Sequence, residues 1–371
     1  MIETSNHYGR ELLRGIRQWE RAHGPWALRF VEQGRGATVP RWLRSWRGDG
    51  VIARVENAGI ARSLKATGLP VVDVSAAVGR PVFPQVVTDS RRLTEMALAH
   101  FRERGLQHVA YCGTDGFWWA AQRGEYFATL AQAAGLKWER FEVKSRSPET
   151  DLRALAQWLK RLPKPVGILA SYDVRGQQVI QACQEANLRV PDEVAVLGAH
   201  NDELLCELCD PPMSSVRPDA QRAGREAAAR LAQLMEGKAT QIDVTRIEPL
   251  DVVVRQSTDV VAVADARVAA VVRYAQAHAC EGINVADLLR AVPMARTALE
   301  RRCQASLACT PRELLERIRL DHVRKWLRDS DASMEEIAER TGYSYPEYLT
   351  VAFKRVEGVT PRAWRLKRRY G

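Results

Sequence analysis

The sequence predicts an α/β two-lobed parallel-sheet core followed by an all-α tandem helix-turn-helix domain. Three observations carry that expectation. Short apolar, β-branched runs alternate with segments of helical period through the first 258 residues. From Asp265 onward the strand-like runs stop. The last third repeats itself weakly at an offset of 50 residues, so that Thr310-Pro311 matches Thr360-Pro361.

The expected strands of the first region are Gly50-Val51-Ile52-Ala53, Val71-Val72-Asp73-Val74, Val86-Val87, Val109-Ala110-Tyr111-Cys112, Val166-Gly167-Ile168-Leu169 and Val194-Ala195-Val196-Leu197. Between them, Leu12, Leu13, Ile16 and Trp19 share one helical face, as do Leu152, Leu155, Ala156 and Leu159, and Val179, Ile180 and Cys183. Nearly continuous apolar strands between amphipathic helices imply parallel sheets covered on both faces. Over this length two such lobes fit better than one.

Open parallel sheets bind ligands beyond the carboxyl ends of their strands. The polar residues at those positions are Glu3-Thr4-Ser5 with Tyr8 and Arg10, then Asp73 and Ser75, Asp89-Ser90, Asp115 with Trp118-Trp119 and Arg123, Asp173-Val174-Arg175, and His200-Asn201-Asp202. Carboxylates and an amide pair with vicinal hydroxyls, and an indole covers the apolar face of a pyranose. The inventory suits a sugar. Any one of these residues serves equally well as a turn former or helix N-cap; their recurrence after successive strands is what favours a site.

Composition excludes several classes. With 46% hydrophobic and 27% charged residues the chain is an ordinary globular one, not a disordered one. No apolar run reaches the ~18–20 residues of a membrane span. Met1-Ile2-Glu3-Thr4 has neither a basic nor an apolar leader region, so the expected compartment is the cytoplasm. The seven cysteines are odd in number and irregularly spaced, which argues against a disulfide framework. Cys206-x-x-Cys209 lacks a second pair or a His doublet, so no metal and no cofactor are expected. There is no G-x-S-x-G, no phosphate-loop motif and no H-E-x-x-H, and Gly34-Arg35-Gly36 is too short for a dinucleotide site. An enzyme is therefore the weaker reading.

The charge points to a polyanion. Residues 265–371 hold 20 Lys+Arg against 14 Asp+Glu, a net of +6, out of +10 for the whole chain. The run Arg365-Leu366-Lys367-Arg368-Arg369 adds a cationic tail that serves equally as a solvated helix end. Within this region two short helices, Val285–Leu289 and Met334–Ala338, each lead through a turn (Val292-Pro293-Met294 and Thr341-Gly342-Tyr343) to a second helix, Ala295–Gln304 or Tyr345–Arg355. Pro311–Leu327 reads as one connecting helix. Leu299 and Cys303 face the first core, which leaves Arg296, Thr297, Glu300 and Arg301 outward. Leu349 and Phe353 face the second, which leaves Tyr345, Glu347, Thr350, Val351 and Lys354 outward. A helix of this kind enters a major groove, and two units on one rigid helix suit neighbouring grooves ~34 Å apart. Arg296 and Glu300, at i and i+4, are equally placed to pair with each other.

Residues 267–365 resemble the AraC/XylS-type DNA-binding domain. The carriers are Ala295-Arg296-Thr297-Ala298-Leu299-Glu300-Arg301-Arg302, Thr310-Pro311-Arg312-Glu313-Leu314-Leu315, Ile337-Ala338-Glu339-Arg340-Thr341-Gly342-Tyr343, and Ala352-Phe353-Lys354-Arg355 with Gly358-Val359-Thr360-Pro361. In the first unit Ala295 stands for a usual Ser, Cys303 for a usual Phe and Ala308 for a usual Gly. Residues 1–258 resemble the LacI/GalR-type regulator core, which is similar to type I periplasmic sugar-binding proteins. Here the carriers are Val190-Pro191-Asp192-Glu193-Val194-Ala195-Val196-Leu197-Gly198, Pro212-Met213-Ser214-Ser215-Val216-Arg217-Pro218, Gly224 with Ala227-Ala228 and Leu231, and Asp89. The two together resemble the xylose operon regulators over nearly the whole chain. Within that group the opening residues, with Tyr8, Gly9 and Arg10, read as lying inside the first strand, with the true start a few residues upstream.

The resemblance implies a sugar-sensing domain over 1–258, a linker over 259–266 and a DNA-binding domain over 267–371, with units near 285–304 and 334–355. It implies sugar contacts by Asp89, Trp118 or Trp119, Arg123, Asp173 and the His200-Asn201 loop, beside Tyr8 and Arg10. At His200 the group usually has Asp, so an imidazole replaces a carboxylate that accepts two hydroxyl bonds. The implied protein is a sugar-responsive activator of pentose genes, binding duplex operator DNA and a small pentose effector, meeting RNA polymerase, forming a homodimer and contacting no membrane. The alternatives are a transport-type sugar-binding protein, which the leaderless start and the basic tail disfavour, and a sugar-acting enzyme.

Overall fold

The computed structural model describes residues 1–29, 39, 41–141, 147–238, 241–259, 265–307 and 309–370. Gly34-Arg35-Gly36, Ala308 and linker residues 260–264 lie outside the described residues. The chain divides into two compact units, residues 1–102 with 106–260, and 103–105 with 261–371.

The first unit runs α1 (His7–His23), β1 (Val51–Ala53), α2 (Ala58–Lys65), β2 (Val71–Asp73), β3 (Gln85–Thr88), α3 (Ser90–Glu103), β4 (His108–Cys112), α4 (Trp118–Ala133), β5 (Lys137–Phe141), α5 (Pro148–Arg161), β6 (Val166–Ala170), α6 (Asp173–Glu185), β7 (Val194–Ala199), α7 (Glu203–Leu208), β8 (Ser214–Arg217), α8 (Ala220–Met235), β9 (Val244–Ile247) and β10 (Asp251–Val253). The strands form two sheets, of order β1-β2-β3-β9 and β10-β8-β7-β6-β4-β5. Every pairing is parallel except β10 with β8.

All six expected strands form. β5, β8, β9 and β10 carry weaker signals because they lie at sheet edges or next to one. Lys137-Trp138-Glu139-Arg140-Phe141 faces water along much of its length, so it lacks the apolar run of a central strand. The opening residues do not form a strand. Met1 alone lies beside β1, its α-amino group donating to the Ile52 carbonyl at 2.8 Å and its carbonyl accepting from Arg54 N–H at 2.9 Å.

Each sheet has its own core. Leu12 and Ile16 of α1 are buried with Ala223, Ala227 and Ala228 of α8 against Val72, Val74 and Val86. The α1–α8 contact is close because Gly15 and Gly224 lie in it: a Cβ at Gly224 would overlap the Leu12 carbonyl oxygen and stand 3.0 Å from Ile16 N. The second sheet buries Leu155 and Leu159 of α5 and Val179, Ile180 and Cys183 of α6 against Ile168, Val194 and Val196.

The second unit contains α9 (Ala266–His278), α10 (Val285–Ala291), α11 (Arg296–Leu307), α12 (Pro311–Asp329), α13 (Met334–Arg340), α14 (Pro346–Glu357) and α15 (Pro361–Tyr370). Caps set the boundaries. Thr310 with Glu313, and Ser333 with Glu336, form capping boxes at α12 and α13, each worth about 1 kcal/mol. The α13–α14 turn needs glycine: Gly342 has φ +75°, and a Cβ there would sit 2.7 Å from the Ala279 carbonyl oxygen. α12 serves two cores, Leu314 and Leu315 packing with Leu288, Leu299 and Cys303, and Leu320, Val323 and Leu327 with Ile337, Leu349 and Phe353. That sharing makes one rigid piece of the two helix-turn-helix units.

Candidate functional site

A cavity of about 190 Å³ opens between the two sheets of the first unit, below the ~300–1,000 Å³ of sites for drug-sized ligands. Tyr8, Asp89, Trp118, Trp119, Arg123 and His200 all line it. They come from the start of α1, the end of β3, the first turns of α4 and the turn after β7. The fold therefore gathers six residues that lie up to 192 positions apart (200 minus 8).

Arg123 is 2% exposed. One amino group of its guanidinium donates to the Ser171 carbonyl and the other to Ser90 Oγ at 3.5 Å. Its Nε is buried without a bond, and the group lies 5.4 Å from the Trp119 ring centroid. Burial pulls this guanidinium below its ordinary pKa. The Tyr8 hydroxyl lies 3.3 Å from Thr88 Oγ1, and burial pushes the phenol up. The two indoles differ. Trp119 is 8% exposed, stacked on Phe117 at 5.6 Å and edge-on to Tyr172 at 6.0 Å. Trp118 is 46% exposed and lies over Gly79.

His200 stacks on Tyr8 at 5.2 Å and reaches Trp119 at 6.0 Å. It has φ +101° and Asn201 has φ +49°, conformations that cost non-glycine residues ~1–3 kcal/mol each. The surroundings hold them there. His200 N–H donates to Val216 O at 2.9 Å, Asn201 N–H to Ser215 Oγ at 3.0 Å, and Asn201 Oδ1 accepts from Arg255 at 3.0 Å.

Arg10, Asp173 and Asn201 do not join the cavity wall. Arg10 is exposed and donates to the Thr4 carbonyl at 3.0 Å. Asn201 is 1% exposed and braces its own turn. Asp173 is 2% exposed; its two oxygens accept from Ser215 Oγ–H at 2.6 Å and Asp202 N–H at 2.7 Å. Burial pushes its carboxyl up to about 7. Asp202 in turn accepts from His7 N–H at 3.2 Å, so the turn after β7 is tied to the start of α1. Asp73 is likewise structural: it is buried, and its Oδ1 accepts from Val55 and Ser75 N–H at 3.1 and 2.9 Å.

The cavity also takes in Arg54, Gln85, Gln122 and Arg246, which strand-end reasoning passed over. Arg54 is buried with Glu56 at 3.4 Å and Glu3 at 4.0 Å. A charged residue directly after the β1 run was the available signal. Arg246 lies on the edge strand β9, whose pattern carried none.

Cys206 and Cys209 are buried thiols, Cys209 donating to the Leu205 carbonyl at 3.3 Å. Among the described residues no group of three or more His, Cys, Asp or Glu is placed to hold a metal, and no helix is long and apolar enough to cross a membrane.

In the second unit, Leu299, Cys303, Leu349 and Phe353 are fully buried. Arg296, Thr297, Glu300 and Arg301 of α11 are exposed, and Arg296 Nε does pair with Glu300 at 3.0 Å. Glu347 and Lys354 of α14 and its N-cap Tyr345 are exposed, and Thr350 is half-buried. Tyr348, absent from the expected face, is 64% exposed. Arg324 of α12 holds Glu357 at the end of α14 through bonds of 2.9 and 2.7 Å, which orients α14.

Two family models match, a periplasmic binding protein-like domain over residues 98–258 and a helix-turn-helix domain over 288–367. The xylose operon regulatory protein of Haemophilus influenzae is 30% identical over 99% of this chain and 97% of its own length. The chain belongs to the xylose operon regulatory protein family. The Escherichia coli K12 member is 28% identical, covering 98% of this chain and 95% of that protein. A solved structure of the xylose-binding transcription activator xylR aligns with a TM-score of 0.63 at 28% identity, over 98% of this chain and 96% of that one. Membership of this family makes the chain a sugar-responsive helix-turn-helix transcription regulator, with a periplasmic-binding-like α/β core and a helical DNA-binding tail. Its relatives are transcription regulators.

Proposed function

We propose that this chain is a cytoplasmic activator of pentose-utilisation genes, with a sugar-sensing domain over 1–258 and a DNA-binding domain over 267–371. A xylose-like pentose enters the cavity between the two sheets. Asp89 and Arg123 bond its hydroxyls, Trp118 covers its apolar face, and Tyr8 and His200 close the far side. The observation that carries this reading is the convergence of those five side chains on one monosaccharide-scale cavity. His200 supplies one ring nitrogen where the family's Asp supplies two oxygens, which sets the sugar preference.

Closure around the sugar shifts DNA affinity by the sugar's differential affinity for the open and closed states, about 1–3 kcal/mol of coupling. The chain acts as a homodimer, with four helix-turn-helix units on repeated half-sites and RNA polymerase alongside. Arg296, Thr297, Glu300 and Arg301, and Tyr345, Glu347, Thr350 and Lys354, face the DNA. A thermal-shift panel of pentoses and hexoses on wild type and His200→Asp tests the reading. D-xylose is expected to raise the melting temperature of at least one form. If it raises neither, the pentose assignment falls; if no sugar does, the cavity is not the effector site.

A further inference from the structure

We infer that α14 reads thymine in the major groove by apolar contact, Val351 meeting the 5-methyl group beside Tyr348, whereas α11 reads its half-site through polar groups alone. The inference rests on the DNA-binding role of the second unit and narrows it. Val351 is 66%, Tyr348 64% and Tyr345 60% exposed. On the opposite side of the same helix, Leu349 and Phe353 are fully buried and Ala352 nearly so. The apolar residues outside are thus not core residues in the wrong place; they form a second, unpartnered apolar stripe. The rings of Tyr345 and Tyr348 meet edge to face at 5.7 Å, which fixes them beside Val351. Glu347 and Lys354 flank the stripe.

The outward face of α11 differs in kind. Arg296, Thr297, Glu300, Arg301 and Gln304 are exposed, and among the described residues no large exposed apolar side chain lies on that helix. A clustered apolar face on a surface helix marks a contact. The basic balance of this region makes duplex DNA the occupant, and thymine methyls are the apolar feature of its major groove. The two half-sites are therefore chemically unequal, which gives the operator a direction.

The test begins with the full-length chain selecting duplexes from a random pool. The selected duplex is then remade with deoxyuridine for thymine, one half at a time; uracil lacks only the methyl group. In one half the change is expected to weaken wild-type binding about fourfold per methyl contacted, the equivalent of ~0.8 kcal/mol. Val351→Ser should bind the two duplexes equally, while Val351→Thr, which keeps a methyl, should retain most of the discrimination. Equal melting temperatures would show that these exposed substitutions leave the fold intact. Wild-type indifference to deoxyuridine, or undiminished discrimination by Val351→Ser, overturns the inference and leaves DNA binding standing. If Val351→Ser keeps that discrimination but loses transcription, the stripe is a protein contact and the inference likewise falls. Selection of no sequence at all would overturn the DNA-binding role and the inference with it.

Discussion

The two adjacent indoles at the start of α4 make a sharp test, because their surroundings assign them opposite jobs. Trp118 leaves 46% of its surface open at the cavity. Of a side chain of roughly 250 Å², that is about 115 Å², and a stacked pyranose face covers about half of it. At ~25 cal/mol per Å² the stacking contributes about 1.5 kcal/mol, roughly tenfold in Kd. Trp118→Ala should therefore weaken D-xylose binding about tenfold, with a modest change in melting temperature. Trp119 is packed between Phe117, Tyr172 and the Arg123 guanidinium. Trp119→Ala opens a cavity in that cluster and should cost about 3–5 kcal/mol of stability. Calorimetric titration and thermal unfolding of both variants give the comparison. If Trp118→Ala binds D-xylose within twofold of wild type, or if Trp118→Ala loses more stability than Trp119→Ala, the division of labour is wrong.

Other perturbations follow from the same geometry. Gly224→Ala should destabilise the first unit by several kcal/mol or prevent its folding, since backbone of α1 occupies the methyl position; expression and melting temperature report it. The Asp173 carboxyl, held up near 7 by burial against 3.8 in the free residue, keeps a proton in the folded chain that the unfolded chain releases. Its contribution to stability is thus complete below about pH 4 and declines as pH rises towards 7, and Asp173→Asn, measured by denaturant unfolding across that range, should flatten this fall. Operator affinity should drop steeply between low and high salt, and Lys354→Ala should reduce the log–log slope by about one if that ammonium meets a phosphate; a flat wild-type response would contradict a phosphate-driven interface.

Local chemistry wrote much of this molecule directly into the chain. The apolar runs at 109–112, 166–169 and 194–197 are central strands because β-branched and apolar residues buried on both faces have few other solutions. Thr310-Pro311 and Ser333 with Glu336 mark helix starts because capping acts over three or four residues. The inward pair Leu299–Cys303 and its counterpart Leu349–Phe353 follow from helical spacing alone, and with them most of the outward residues of both helices. Edge strands were less legible: half-exposed, they tolerate Lys137, Glu139 and Arg246, and β9 finds its partner β3 only after more than 150 intervening residues.

What tertiary structure alone decided was the direction of each polar side chain after a strand. Asp89 and Asp173 look alike in sequence, yet one lines the cavity and the other spends both oxygens on Ser215 and Asp202. Trp118 and Trp119 are neighbours, and a single residue's rotation along α4 separates a half-exposed indole from a buried one. The reason is one of range. Periodicity and capping are settled within a turn or two of chain, whereas the hydrogen-bond partners of these polar side chains come from segments as far as 195 residues away, brought near only when both sheets have packed.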